Sequence, residues 1–350
     1  MKKISLLIVL LAALHLQVRS QDIHFSQLTE APIWYNPANT GFFPGYVRAS
    51  INYRNQWAAM GNPYKTMGLS VDGSMFKNRK KSAFLGLGLT MFSDKAGAAN
   101  ISNTNIALNV AGIVKLSKKS VLSAAVYGGE IVNKASYNDL QYGNQFNGNE
   151  IDPNLPSNES VAYRNFTTND LGAGLAYEFS NVKGSQDRLD VVSFRLGAAA
   201  YHLNRPSQNF GSGTSYRLPT RYVASATVRV DIPGSKLSIL PSLIYMRQDA
   251  LAPAYEINFG TFVKYRFKTG TKTTGQKTEN GFAIGAYYRY DDAIIPQILL
   301  DMGTYAIGMS YDVNVSGYKR ASRTVGGFEI SLRYTKLGDA LFNKKSEYRN

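Results

Sequence analysis

The sequence predicts an all-β fold, a transmembrane antiparallel outer-membrane β-barrel of about 14 strands preceded by a cleaved signal peptide. Three observations lead there. Apolar and polar residues alternate with period two in segments of about ten residues. Beyond the leader, charges, Gly, Asn or Ser interrupt every apolar run before the roughly 18 residues a spanning helix needs. The composition is rich in Tyr (23), Phe (17) and Gly (31) and contains no Cys.

The leader comes first. Met1, Lys2 and Lys3 are a basic start, residues 4–16 an apolar run, and Val18 and Ser20 offer small residues to a signal peptidase before Gln21. This run is too short to span a bilayer comfortably, so removal is expected over retention as an anchor. A lipoprotein anchor needs a cysteine after the run, and none follows. Export places the chain where disulfides form, but without Cys its stability must come from packing and a closed hydrogen-bond network. The formal charge of +15 falls to +12 without Lys2, Lys3 and Arg19. Export argues against nucleic acid as a partner; acidic glycans, lipid head groups or a negatively charged protein suit the charge better.

The strands follow from the alternation. Val47, Ala49, Ile51 and Tyr53 alternate with Arg48, Ser50, Asn52 and Arg54, and the same rhythm runs through 169–179 and 254–267, where Thr261 and Phe262 are exceptions. Expected strands are 47–54, 64–72, 83–93, 104–115, 120–132, 169–179, 189–202, 220–231, 236–246, 254–267, 281–290, 293–300, 303–312 and 326–334. A soluble sandwich alternates too, with its apolar faces meeting in a core. Strand length favours the barrel, because tilted spanning strands need about 9 to 11 residues while soluble ones centre on about 5 to 6. Aromatics near the strand ends suit interfacial girdles. Pro241 and Pro296 each remove a ladder donor and mark an irregularity or a wrong boundary.

The loops suggest an orientation. Turns after even-numbered strands are mostly short and Lys-rich, as in 77–81, 116–120 and 231–236, whereas 133–168 and 203–219 are long and polar. Short turns inside and long loops outside put both termini in the periplasm. The expected division is a signal peptide at 1–20, a periplasmic lead-in and possible lumen occupant at 21–46, the barrel at 47–334 and a polar tail at 335–350.

Several motifs carry a family resemblance. Gln21, Asp22, His24, Phe25, Ser26 and Gln27 open the mature chain, followed by Asn36, Pro37, Ala38, Thr40 and Gly41, then Tyr53, Arg54, Asn55, Gln56 and Trp57. Further along stand His202 in AAAYHLNRP, Arg289 in AYYRYDDA, Tyr311 and Asp312 in MSYDVN, and Glu329 in GGFEISL. In this order along one chain they resemble the PorP/SprF family of outer-membrane proteins of the Bacteroidetes type IX secretion system. That resemblance implies a part in exporting or attaching surface cargo, such as gliding adhesins. The implied partners are the translocon barrel, periplasmic secretion components, secreted cargo and outer-membrane lipid.

Plain structural roles stand beside that reading. Asn36, Pro37 and Gly41 suit turns, and Arg48, Arg54, Arg195, Arg289 and Arg333 can pair with Asp72, Glu178, Asp292 or Glu329 inside a lumen, since buried charges need partners. His24 and His202 are the only histidines after the leader. No HExxH, Gly-x-Ser-x-Gly elbow or phosphate loop occurs, so neither a metal, a cofactor nor a catalytic group is expected. A barrel hydrolase using His202 lacks an identifiable serine. The competing function is a diffusion channel or hydrophobic-solute transporter, in which lumen charges select the solute.

Overall fold

A computed structural model describes residues 24–56, 64–77, 82–97, 101–135, 140–156, 158, 165–184, 189–209, 216–249, 254–268, 280–317 and 325–336. The expected signal peptide and nearly all of the C-terminal tail lie outside these residues. Fourteen antiparallel strands close into one barrel. They are β1 (Val47–Gln56), β2 (Tyr64–Met75), β3 (Ala83–Ala96), β4 (Ile101–Lys115), β5 (Ser120–Lys134), β6 (Phe166–Gly184), β7 (Leu189–Tyr201), β10 (Arg221–Asp231), β11 (Leu237–Gln248), β12 (Tyr255–Lys268), β13 (Asn280–Arg289), β14 (Ala293–Asp301), β15 (Tyr305–Asn314) and β16 (Val325–Lys336). Each pairs with its neighbour in sequence, and β1 closes on β16 from Val47 opposite Lys336 to Gln56 opposite Gly327. A two-residue hairpin, β8 (Ser207–Gln208) with β9 (Tyr216–Arg217), stands apart in the connection between β7 and β10.

Burial runs opposite to that of a soluble sandwich. On β1 the inward side chains are Arg48, Ser50, Asn52 and Arg54, all buried, while Ile51 and Tyr53 face out. On β3, Leu85, Leu87, Leu89 and Met91 are exposed and alternate with inward glycines and Thr90. Soluble monomers rarely expose apolar patches beyond a few hundred Å², and here the apolar side continues from strand to strand. Exposed aromatics collect towards both ends of this belt, Tyr64, Tyr222, Tyr255 and Tyr290 at one and Tyr265, Phe267 and Tyr305 at the other. Lipid is the environment that makes this surface favourable.

Both prolines lie inside strands and mark gaps in the ladder. Pro296 pairs with Ala286 on β13, but the β14–β15 ladder passes from Ile294 opposite Val313 to Gln297 opposite Ser310. Pro241 pairs with Thr261, while the β10–β11 ladder skips Val228 and Arg229. The missing donor explains each gap. Most of the strands are longer than the alternation predicts, although β7 and β10 are each one residue shorter. Residues 181–184, expected in a turn, continue β6 along β7 past the start of β5.

The barrel has two ends. At the first, Tyr46 enters β1, β16 finishes at Lys336 and the connections are mostly short; at the second lie the long connections after β5 and β7. About eight strands make a barrel whose own side chains just fill it, and the diameter grows with strand number. Fourteen strands leave space, and residues 24–46 occupy it. Phe25, Leu28, Ala31, Ile33, Tyr35, Ala38, Phe42 and Phe43 of this segment are all buried.

The segment braces opposite walls. It starts beside β16 towards the second end, where Ser26 and Gln27 meet Glu329. It crosses the lumen through one α-helical turn, Pro32–Tyr35, and a 3₁₀ turn, Pro37–Asn39, against β5 to β7. It then returns along the first end, where Gly41 meets Asp72 of β2. The Asn36 side chain caps the 3₁₀ turn by accepting from Ala38 N at 2.9 Å, and Pro37 supplies a preset φ at its first position.

Candidate functional site

The inner wall is shaped to this plug. Two apolar clusters join plug to barrel: Phe25, Leu28, Ala31 and Tyr35 pack with Tyr127, Tyr201, Phe262, Tyr287 and Ile295, and Ala38 and Phe42 pack with Phe84, Ala111, Ile113 and Ala125. Phe262, the exception to alternation on β12, points inward and meets Tyr287 edge-on at 5.6 Å. Glycines admit the closest approaches. A Cβ at Gly86 would fall on the Thr40 carbonyl, and one at Gly174 on the Asn36 side chain. Asn36 Nδ2 donates to the Leu175 carbonyl at 2.8 Å there. Gly174→Val is therefore expected to dislodge the plug centre, raising protease sensitivity of residues 24–46 while the barrel itself stays folded; an unchanged cleavage rate would contradict the fit.

The plug is also pinned by charge at both ends. Towards the first end, Arg48 grips Asp72 with two bonds of 2.9 Å, donates to the Asn39 carbonyl at 3.0 Å and lies 4.4 Å from the Phe43 ring centroid. Asp72 also accepts from Gly41 N at 2.7 Å, and Lys77 donates to the carbonyls of Phe43 and Gly45. Arg195, paired with Glu178, lies over the Phe42 ring and donates to the Asn39 side chain.

Towards the second end the hub is Asp312. Its Oδ2 accepts from Arg54 and from Arg289, each at 2.8 Å, and its Oδ1 accepts from Ser26 Oγ at 2.8 Å. Arg289 also donates to Asp292 at 2.8 Å and to Ser26 Oγ at 2.7 Å. Glu329 accepts from Ser26 N at 2.6 Å and Gln27 N at 3.1 Å. Gln297 donates to the Ser26 carbonyl and Arg54 to the His24 carbonyl, at 2.9 and 2.6 Å. A register shift between Asp312 and Val313 coincides with the Pro296 gap; such irregularities re-aim a side chain. The Tyr35 hydroxyl closes the loop by accepting from Phe25 N and donating to the Phe25 carbonyl. Burial pushes this phenol well above its usual pKa, and the nearby Glu329 and Glu256 push the same way, so it stays a neutral donor.

The sequence-derived candidates divide accordingly. His24, Phe25, Ser26, Gln27, Asn36 and Pro37 are in the plug; Arg54, Arg289, Asp312 and Glu329 are on the wall that holds it. His202 stands apart with a positive φ of 57°, its Nδ1 2.8 Å from Asp170 Oδ1. Tyr311 faces out, and Gln56 ends β1. Asp22 and Trp57 lie outside the described residues. The five arginines and four acids expected to pair have no set assignment in the sequence; Arg48 pairs with Asp72, Arg195 with Glu178 and Arg289 with Asp292, whereas Arg333 reaches Glu30 of the plug. Glu329 sits opposite Arg54 in register yet spends its carboxylate on plug N–H groups. Sequence reasoning missed Glu256, Gln297 and Glu30 as site residues, and Ser331 entered only as part of the GGFEISL motif. All but Glu30 lie on polar inward positions, a signal shared with every lumen residue. Among the described residues no group of three or more His, Cys, Asp or Glu could hold a metal ion.

A closed wall with lipid-suited belt and girdles, blocked by its own N-terminal segment, defines a plugged outer-membrane β-barrel. Within that class the chain belongs to the type IX secretion system membrane protein family PorP/SprF, whose sequence model matches residues 17–334. Solved structures with a similar path include BamA from Haemophilus ducreyi lacking POTRA domains 1-3, at 9% identity over 83% of this chain and 70% of that one, with a TM-score of 0.42. The toluene transporter TodX of Pseudomonas putida is similar at 8% identity over 91% and 95%, TM-score 0.40. The translocator domain of the autotransporter NalP from Neisseria meningitidis is similar at 10% identity over 83% and 88%, TM-score 0.36. No curated protein matches this sequence.

Proposed function

We propose that this chain is an accessory barrel of type IX secretion that supports export or surface attachment of cargo by binding and positioning, and that it performs no bond chemistry. The observation that carries this reading, beside the family, is a lumen occupied from end to end by residues 24–46, tied to the wall at Asp72 and at Glu329. A filled barrel satisfies its backbone in lipid and offers its two ends as partner surfaces. The end with the short connections and both barrel termini faces the periplasm, towards the secretion machinery. The long connections face outward, where cargo arrives. The translocon barrel and periplasmic components are the partners this arrangement serves.

Deleting the gene is the direct test. Surface adhesins and secreted cargo are expected to fall in the mutant and recover on complementation, and the protein is expected to copurify with the translocon barrel after mild solubilisation. Normal export of every cargo would overturn the reading. The channel alternative predicts robust currents from the intact protein in a planar bilayer, which the occupied lumen argues against.

A further inference from the structure

We propose that the lumen wall around Glu329 is a binding site for a short bent peptide segment, which residues 24–27 of this chain occupy in cis and which a segment of a polypeptide partner can take over. The proposal rests on the reading that the barrel engages a polypeptide. The wall reads this occupant through its main chain. Glu329 takes two consecutive N–H groups, while Gln297 and Arg54 donate to the carbonyls of Ser26 and His24. Nothing in those four bonds depends on side-chain identity.

Two further contacts select the side chains. The Ser26 hydroxyl donates to Asp312 and accepts from Arg289. Ser331 Oγ donates to Gln27 Oε1 at 2.6 Å, and Gln27 Nε2 donates to the Glu329 carbonyl oxygen at 3.1 Å. The matching ligand is a bent segment in which a buried aromatic is followed by a hydroxyl and a carboxamide.

The site has more polar capacity than its occupant uses. Glu256 makes two long ion pairs, to His24 at 3.4 Å and to Arg289 at 3.8 Å, but no hydrogen bond among the described residues, and both amide atoms of Asn258 and Asn52 have none either. Exposure of these residues is 6%, 0% and 0%. Buried polar atoms are normally satisfied, so such a concentration calls for groups beyond the residues present. Phe25 and Gln27 seat against Gly68 and Gly308, just as Asn36 and Thr40 seat against Gly174 and Gly86 further along. The amino-terminal residues precede both turns of the plug, and they are the exchangeable part.

The test uses the full chain carrying Ser26→Pro and Gln27→Pro, which deletes both N–H groups that Glu329 takes, and a fluorescent synthetic peptide of residues 21–28. The variant is expected to bind the peptide about tenfold or more tightly than the unsubstituted protein. Adding Glu329→Gln to the variant, or replacing the peptide's serine with alanine, is expected to remove that gain. Equal binding by variant and unsubstituted protein, or a gain insensitive to Glu329→Gln, would overturn the proposal. Should the double-proline protein not fold, His24→Cys in the otherwise unsubstituted chain gives a unique thiol. Excess peptide is expected to speed its modification by a soluble maleimide several-fold, and an unchanged rate refutes exchange. Neither assay measures cargo, so failure here leaves the secretion reading standing, and normal export in a deletion strain leaves peptide exchange standing.

Discussion

Deleting residues 24–45 is expected to convert a sealed barrel into a pore whose planar-bilayer conductance exceeds that of the intact protein about tenfold or more. The argument is geometric. Fourteen strands enclose more width than inward side chains can fill, and many inward positions are small: Ala107, Ala111, Ala125, Ala176 and Ala199 are buried only because the plug or its neighbours cover them. The covalent route is favourable too, since the segment enters β1 at Tyr46, which is bonded to Lys336 and Ser74 independently of the plug. Removing it leaves β1 paired on both sides. The wall does lose packing partners for Phe262, Tyr287 and Ile295, so a lower unfolding midpoint should accompany the currents. Heat-modifiable mobility in gels would show that the deleted protein still forms a barrel. A folded deletion protein as tight as its parent would mean that another part of the chain closes the lumen.

Why the strands were readable one by one, and the plug only as a lead-in and possible lumen occupant, follows from what each side chain meets. In a barrel wall one face meets lipid over the whole length of the strand, which enforces period two regardless of fold details. All fourteen barrel strands were visible for that reason. Their ends were less so: residues 181–184 extend β6 beyond the start of β5, where neither lipid nor a second neighbour imposes a rhythm. The plug has no repeating environment, so its sequence shows no period. Its trace lies instead in the wall, as apolar residues at inward positions where polar ones are expected; Phe262 on β12 stood out as such an exception, and Ile113, Ile244 and Ile295 are of the same kind. Arg48, Asp72, Arg195 and Glu178 were legible as lumen charges without partners assigned; Arg48 and Asp72, like Arg195 and Glu178, are direct cross-strand neighbours. The bond from Ser26 N to Glu329, 303 residues away, leaves no local pattern. Family resemblance flagged both residues without saying that they touch.

Asp312→Ala is expected to destabilise the barrel by about 3–5 kcal/mol, the range for stripping a buried charge pair of one partner. The effect should sit at the upper end because one carboxylate serves two guanidiniums. Arg54 and Arg289 are 2% and 3% exposed at the side chain, and both place an Nη2 at 2.8 Å from Asp312 Oδ2. Without it Arg289 keeps Asp292 and a more distant Glu256 at 3.8 Å, whereas Arg54 keeps the His24 carbonyl as its oxygen acceptor among the described residues. Ser26 loses its acceptor as well, so the plug loosens together with the wall. Urea unfolding in lipid vesicles measures the loss, and Tyr311→Ala, one residue away on the outward face, serves as the comparison, with a small cost expected. The diagnostic result is non-additivity. Adding Arg54→Leu to Asp312→Ala should restore part of the stability, because it removes the cation that the first substitution leaves uncompensated. If Asp312→Ala costs less than about 1 kcal/mol, or if Arg54→Leu only adds to its cost, water rather than the carboxylate is holding these guanidiniums, and the cluster at this end of the plug is hydrated rather than a dry latch.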